Sequence, residues 1–189
     1  RQDLLGRSVS IGEHTVIGPE ATVGNYTKIL NNVVISGRVK IGSHCLVKDN
    51  TTIGSEGFDF EYDEDGILIH GPQIGEIVIG NNVWIGANTS IEKSFVDKTI
   101  IHDNVKIDDL VQIGGSSSIH KNSMITAGVI VSRNVTVGEN CLLSPNVSVR
   151  DSIQIGNDVT IGIGSVVVKD IPEGGVYVGN PARLLRKNK

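Results

Sequence analysis

The sequence is poor in aromatic residues, with three Phe, three Tyr and one Trp in 189 residues. That scarcity rules against a layered core built around large rings. Its two cysteines, Cys45 and Cys141, lie far apart without metal-type spacing, which excludes a disulfide framework and a cysteine zinc site. No apolar run is long enough to cross a bilayer, and no signal peptide is visible. Positive charge is not in excess either: 17 Lys and Arg stand against 21 Asp and Glu, a net charge of -4. Such a balance carries no electrostatic footprint for nucleic acid. The one basic cluster is C-terminal, at Arg183, Arg186, Lys187 and Lys189. The chain opens on Arg1 rather than Met, which leaves room for a preceding domain.

What the sequence has in abundance is Gly, Ile and Val, arranged with a period of six. From Ile11 every sixth residue is Ile or Val through Ile53, and the beat resumes at Ile79, Ile85 and Ile91. A third run goes from Ile101 to Val167, broken nowhere, with Leu143 as its one leucine. The residue two before each beat is small or β-branched, as at Val9, Thr15, Ala21, Cys45, Ser117 and Cys141. Residues two apart on a strand face the same side, so each hexad offers a short strand with one large and one small inward side chain. Gly often follows the beat, and Asn often stands third after it, as at Asn32, Asn50 and Asn82. Both are expected to supply the positive φ of a tight corner. A chain that turns this often closes by winding a three-sided prism, with coils about 4.8 Å apart. The fold class is therefore all-β, a parallel β-solenoid of hexapeptide type. A β-sandwich would need longer strands and hairpin turns at wider spacing.

The beat breaks twice. Residues 54–76 form a long polar interruption, read as a protruding loop with a small hairpin around Asp65-Gly66. Four extra residues enter between Ile91 and Ile101, in EKSFVDK. Loops leaving a rigid scaffold are where binding residues concentrate. The domain reading is a β-helix over 1–168 and a tail over 169–189, where ARLLRK is expected to form a short helix.

These hexads resemble the left-handed parallel β-helix acyltransferases, and the resemblance spans almost the whole chain. Left-handedness is implied by that family. The pieces EGFDF, PQIG, IGANTSIE and KIDDLVQI, within residues 53–113, resemble the UDP-3-O-acylglucosamine N-acyltransferases of lipid A synthesis. The stretch GSVVVKDIPEGGVYVGNPARLLRK, residues 164–187, resembles instead the C-terminal signature of acetyl-CoA-dependent sugar acetyltransferases. The resemblance implies a cytoplasmic homotrimer acting on a small-molecule sugar, with acetyl-CoA as acyl donor and no metal. A γ-type carbonic anhydrase on the same fold would need a His-x4-His zinc pair, which does not occur.

The stretch DDLVQIGGSSSIHKN, residues 109–123, departs from the lipid A pattern. There the catalytic histidine follows VQI by two positions, and here that position is Gly115; a second family histidine falls on Ser152. Candidate replacements are His102 and His120, 18 residues apart and so expected to stack about 5 Å apart on one corner. They read equally as solvent-facing corner residues. A neutral amine is already nucleophilic, whereas a sugar hydroxyl needs a base. Loss of the histidine therefore favours N-acylation of an amino sugar, with the Gly114-Gly115 amides as the oxyanion donor, or else a catalytically inactive scaffold. Leu110, Gly128, Asn146 and Gly164 form one corner stack, where Gly128, Gly164 and Ser165 would border a pantetheine arm. Lys169 and Arg183 would meet its phosphates. Phe58, Phe60, His70 and Asp109 are the candidate acceptor-binding residues, and Trp84 should face outward. The leading function is transfer of an acetyl or short acyl group to the amine of a nucleotide-linked sugar. The alternative is an acyl-carrier-protein-dependent enzyme of lipid A type.

Overall fold

The computed structural model describes residues 4–188. Its backbone winds through three sheets of ten, eight and seven strands, parallel except for the last strand of the ten-stranded sheet. The ten-stranded sheet runs from Ser10–Ile11 through Lys28–Ile29 and Leu46–Val47 to Gly175–Val178 and Arg183–Arg186. The eight-stranded sheet begins at Val16–Ile17 and ends at Val166–Val167, and the seven-stranded one spans Thr22–Val23 to Gln154–Ile155. Strand partners in successive coils are 18 residues apart, as in Ser10 with Lys28. Across the two interruptions the spacing grows to 38 at Leu46 with Trp84, and to 22 at Trp84 with Lys106. The hexad beat therefore keeps its phase through both insertions.

Every beat residue from Val23 to Val167 is buried, and together they line one continuous core. The small inward position does a second job. Thr27 Oγ1 donates to the Gly42 carbonyl at 2.8 Å and accepts from the Cys45 amide at 3.1 Å. Ser117 repeats the pattern with the Ser132 carbonyl and the Val135 amide. These hydroxyls satisfy buried corner groups that the flat ladders cannot reach. Cys45 and Cys141 occupy the same inward position, and burial pushes both thiols up.

The corners differ from expectation in one respect. Asn32, Asn50, Asn82 and their equivalents do adopt positive φ. The glycines that follow the beat do not, except Gly54 at φ 97; they sit where successive coils nearly touch. A Cβ on Gly42 would lie 2.4 Å from the Gly80 carbonyl oxygen. Next to these glycines an Asn or Asp side chain accepts a backbone N–H from the coil before it, as Asn31 does from Glu13 at 2.8 Å.

The interruption at 54–76 contains the hairpin, Phe60–Tyr62 against Leu68–His70, antiparallel. Asp63 Oδ1 accepts the amides of Asp65 and Ile67, and Gly66 takes φ 76 at the tip. The tail departs from expectation. Residues 183–186 form a strand, not a helix, paired antiparallel to Gly175–Val178. Gly175–Val178 extends the ten-stranded sheet beside Val159–Ile161, leaving an open edge that the following segment covers. That long-range pairing overrides the helical propensity of ARLLRK. No helix among the described residues is long and apolar enough to cross a membrane.

Candidate functional site

The base of the hairpin folds over the corner at Gly114-Gly115 and encloses a groove of about 720 Å³. Its walls include Phe58 and Asp59 from the hairpin, Glu92 and Lys93 from the second insertion, and Gln112 and Arg133 from the coil face. Two ion pairs hold the hairpin to the coils: Arg133 with Asp59 at 2.9 Å, and Lys93 with Glu56 at 3.2 Å. Buried Gln73 adds a third tie, accepting the Gly57 amide at 2.7 Å.

Gly115 is buried and closed. A Cβ there would lie 2.5 Å from the Lys93 carbonyl oxygen and 3.2 Å from the Ser94 Cα. The four-residue insertion leans over this corner, so the space a side chain would need is filled with backbone. The corner amides are also engaged. Gly114 N–H donates to the Val131 carbonyl at 2.8 Å and Ser116 N–H to Thr99 Oγ1 at 3.0 Å. The Gly115 N–H lies close enough to the Glu92 carboxylate to favour its ionised form. Gly114 therefore does not offer the free oxyanion donor that was expected, and the Gly115 amide faces Glu92.

His102 and His120 stack as expected, ring centroids 4.5 Å apart, with Ser118 Oγ 3.4 Å from His102 Nε2. Burial, and then neighbouring His120, hold His102 below the ordinary histidine range. They stand beside the seven-stranded sheet, after Ile101 and Ile119, whereas Gly115 follows the eight-stranded sheet strand Gln112–Ile113. The candidate catalytic positions thus belong to two corners, His102 and His120 to one and Gly115 to the other, and His120 opens on a separate shallow groove with Gln154 and Asp170.

The acceptor candidates divide. Phe58 is 91% exposed at the groove mouth, 5.0 Å from Phe60, which in turn lies 5.1 Å from His70. His70 ties the loop together, with Nδ1 3.5 Å from Glu56 and Nε2 3.3 Å from the Gly57 carbonyl. Asp109 does not line the groove. It accepts the Ala87 amide at 2.7 Å and pairs with Lys48 at 2.6 Å, and the Lys48 ammonium holds its carboxyl below the usual range.

The donor candidates Leu110, Gly128, Asn146 and Gly164 all adopt positive φ on one corner. Gly164 has open space where a Cβ would be, while at Gly128 the Asn146 side chain stands 2.4 Å from that position. Ser165 is fully buried and its hydroxyl accepts the Gly179 amide at 3.0 Å, so it serves the tail and not the surface. Lys169 and Arg183 are exposed. Sequence reasoning missed Glu92. The available signal was a carboxylate in the slot after the beat, directly before four extra residues.

The triangular coil and its corner chemistry define the class: a hexapeptide β-helix. Two repeat models match the chain. The bacterial transferase hexapeptide (six repeats) covers residues 20–55 and 98–133, and the hexapeptide repeat of succinyl-transferase covers 76–108 and 134–169. The UDP-3-O-acylglucosamine N-acyltransferase of Aromatoleum aromaticum is 52% identical over 128 residues, 68% of this chain and 38% of that protein. The one from Janthinobacterium sp. (strain Marseille) is 34% identical over 162 residues, 86% of this chain and 46% of that protein. This chain thus spans less than half the length of these relatives. In fold it is similar to LpxA from Acinetobacter baumannii, with a TM-score of 0.88 at 24% identity, covering 96% of this chain and 69% of that one. The likeness is that of a left-handed β-helix. The chain belongs to the hexapeptide-repeat family of bacterial transferases.

Proposed function

We propose that this protein is an acyltransferase that forms an amide on the amino group of a nucleotide-linked sugar, bound in the groove under the hairpin. The observation that carries the reading is the groove itself. It joins an exposed aromatic platform at Phe58 to a polar floor of Glu92, Gln112 and the Gly114-Gly115 corner. Phe58 would stack on the nucleotide base or sugar, and the polar floor would orient the amine against a thioester. Positioning matters more than base strength here, because a neutral amine attacks unaided. The relatives' name, UDP-3-O-acylglucosamine N-acyltransferase, supports this acceptor class.

Acetyl-CoA and an acyl carrier protein present their thioester on the same kind of arm. The carrier-protein donor suits a lipid A type relative better than acetyl-CoA does. The Gly128–Gly164 corner and the exposed Lys169 and Arg183 are the elements proposed to meet the donor. A homotrimer is the proposed assembly and the cytoplasm the proposed compartment.

The test supplies a UDP-linked 2-amino sugar with either acetyl-CoA or an acylated carrier protein and reads amide formation by mass spectrometry. Amide from the carrier-protein donor is expected; its absence with both donors overturns the reading. Calorimetry of acetyl-CoA on wild type and Arg183→Ala decides the donor. Micromolar binding that the substitution weakens would establish the CoA form. Separately, Phe58→Ala is expected to weaken binding of the UDP-sugar about 3- to 10-fold, the range of an aromatic stacking pair. Equal affinity in a titration would remove Phe58 from the site.

A further inference from the structure

Glu92 is a carboxylate on the groove floor that forms no ion pair among the described residues. It ends the strand Ser90–Glu92, where pairing with Thr52–Ser55 slips by one residue between Ile91 and Glu92. The extra residue is Gly54 on the Thr52–Ser55 strand, at φ 97, and a bulge of this kind bends the strand that carries it. The Glu92 carboxylate is half-buried in the groove. Oε1 accepts Gln112 Nε2 at 3.0 Å, and the Gly115 amide lies near the same group. Oε2 points at Gly57, where a Cβ would stand 2.8 Å away, so any larger residue there would cover it.

No cation neutralises Glu92 among the described residues. The nearest candidates are taken: Lys93 pairs with Glu56, which also faces His70, and Arg133 pairs with Asp59. Asp151 lines the same groove and adds negative charge. Burial pushes the Glu92 carboxyl up, and the Gln112 bond and the nearby Gly115 amide offset this only in part. A half-buried carboxylate with no cation beside it suits a ligand that brings N–H donors.

We propose that Glu92 contacts the amine of the acceptor sugar and takes its proton during acyl transfer. The inference rests on the acyl-transfer reading and deepens it by naming the proton acceptor. The amine lone pair forms the C–N bond to the thioester carbonyl, and the C–S bond breaks. The excess N–H proton passes to the Glu92 carboxylate, which returns it to the departing thiolate. Amide and free thiol are the products, and Glu92 ends ionised as it began. A carboxylate is a weak base, yet the proton it receives becomes acidic once nitrogen has bonded to carbon.

The experiment compares wild type, Glu92→Gln and Glu92→Asp in two readouts. In the first, kcat is followed against pH. Glu92 must be ionised to accept a proton, so wild-type activity falls as pH drops through its raised pKa. The acid limb should lie above the ordinary glutamate range. Glu92→Gln is expected to lose about 100-fold in kcat and to lose that limb, while Glu92→Asp recovers part of both. In the second readout, UDP-2-amino-2-deoxyglucose and UDP-glucose are titrated into each protein. Wild type should prefer the amine, and Glu92→Gln should bind the two alike.

An unchanged rate and limb in Glu92→Gln, or an amine preference that survives it, overturns the assignment. A wild type that prefers neither sugar overturns it as well. If wild type shows the Glu92-dependent amine preference but transfers no acyl group, the contact stands and the acyl-transfer reading fails.

Discussion

Gly115→His lowers stability by about 3 kcal/mol and produces no gain in acyl transfer. At the level of sequence this substitution looks like a repair, since it returns a histidine to the position where lipid A enzymes carry one. The structure leaves it no room. The first side-chain carbon would meet the Lys93 carbonyl oxygen at 2.5 Å, and the obstacle is backbone, not a side chain that could rotate away. Overpacking against a fixed wall forces the corner and the insertion apart. That movement would also break the Gly115–Glu92 contact and loosen the groove. Gly115→Ala should show a smaller loss, about 1–2 kcal/mol. Denaturant midpoints of the three proteins give the ranking. A Gly115→His variant as stable as wild type would mean that the insertion is free to swing away.

The second large effect separates residues that the repeat makes look alike. Ile113→Ala is expected to cost about 2–5 kcal/mol, the usual range for truncating a buried isoleucine. Ile113 is fully buried, between Ile91 in the coil before it and Val131 in the coil after it. Ile11 holds the same beat position but is 41% exposed at the end of the stack. Ile11→Ala should therefore cost well under half as much. Thermal or denaturant unfolding of both variants checks this. Equal losses would mean that the terminal coil is covered by something that the described residues do not show.

The linkage of Glu92 to pH offers a third check, smaller in size. Burial raises its folded-state pKa, so the folded protein prefers the protonated form. Stability from this group is present below the ordinary glutamate pKa and is lost as pH rises through the folded value. Glu92→Gln should thus melt higher than wild type at pH 8 and equally at pH 4. A residue whose removal stabilises the fold while reducing turnover is held there for function.

Much of the fold was legible because the period is short and almost unbroken. One inward residue every six positions fixes strand, corner and coil together, and an 18-residue spacing places residues one above another. The His102–His120 stack and the corner of Leu110, Gly128, Asn146 and Gly164 were predictable for that reason. The hairpin at Asp65-Gly66 was legible from its turn residues. The tail was not. ARLLRK has good helix formers, and only the exposed edge of Gly175–Val178 made a strand the better use of it.

The candidate site was less legible than the fold. The sequence shows a missing histidine at Gly115, but an absence does not say what fills the space. It shows Glu92 only as one acidic residue at the start of an insertion. The sequence by itself determined the hexad prism and the two interruptions, because these depend on local periodicity, and its motifs carried the resemblance to the family. Tertiary structure alone decided that the second insertion closes the Gly115 corner and that the hairpin base roofs it. It alone decided that Asp109 and Ser165 serve the framework, and that Glu92 is left unpaired in the groove. Those outcomes depend on the direction in which irregular segments leave the coil, which no repeat encodes.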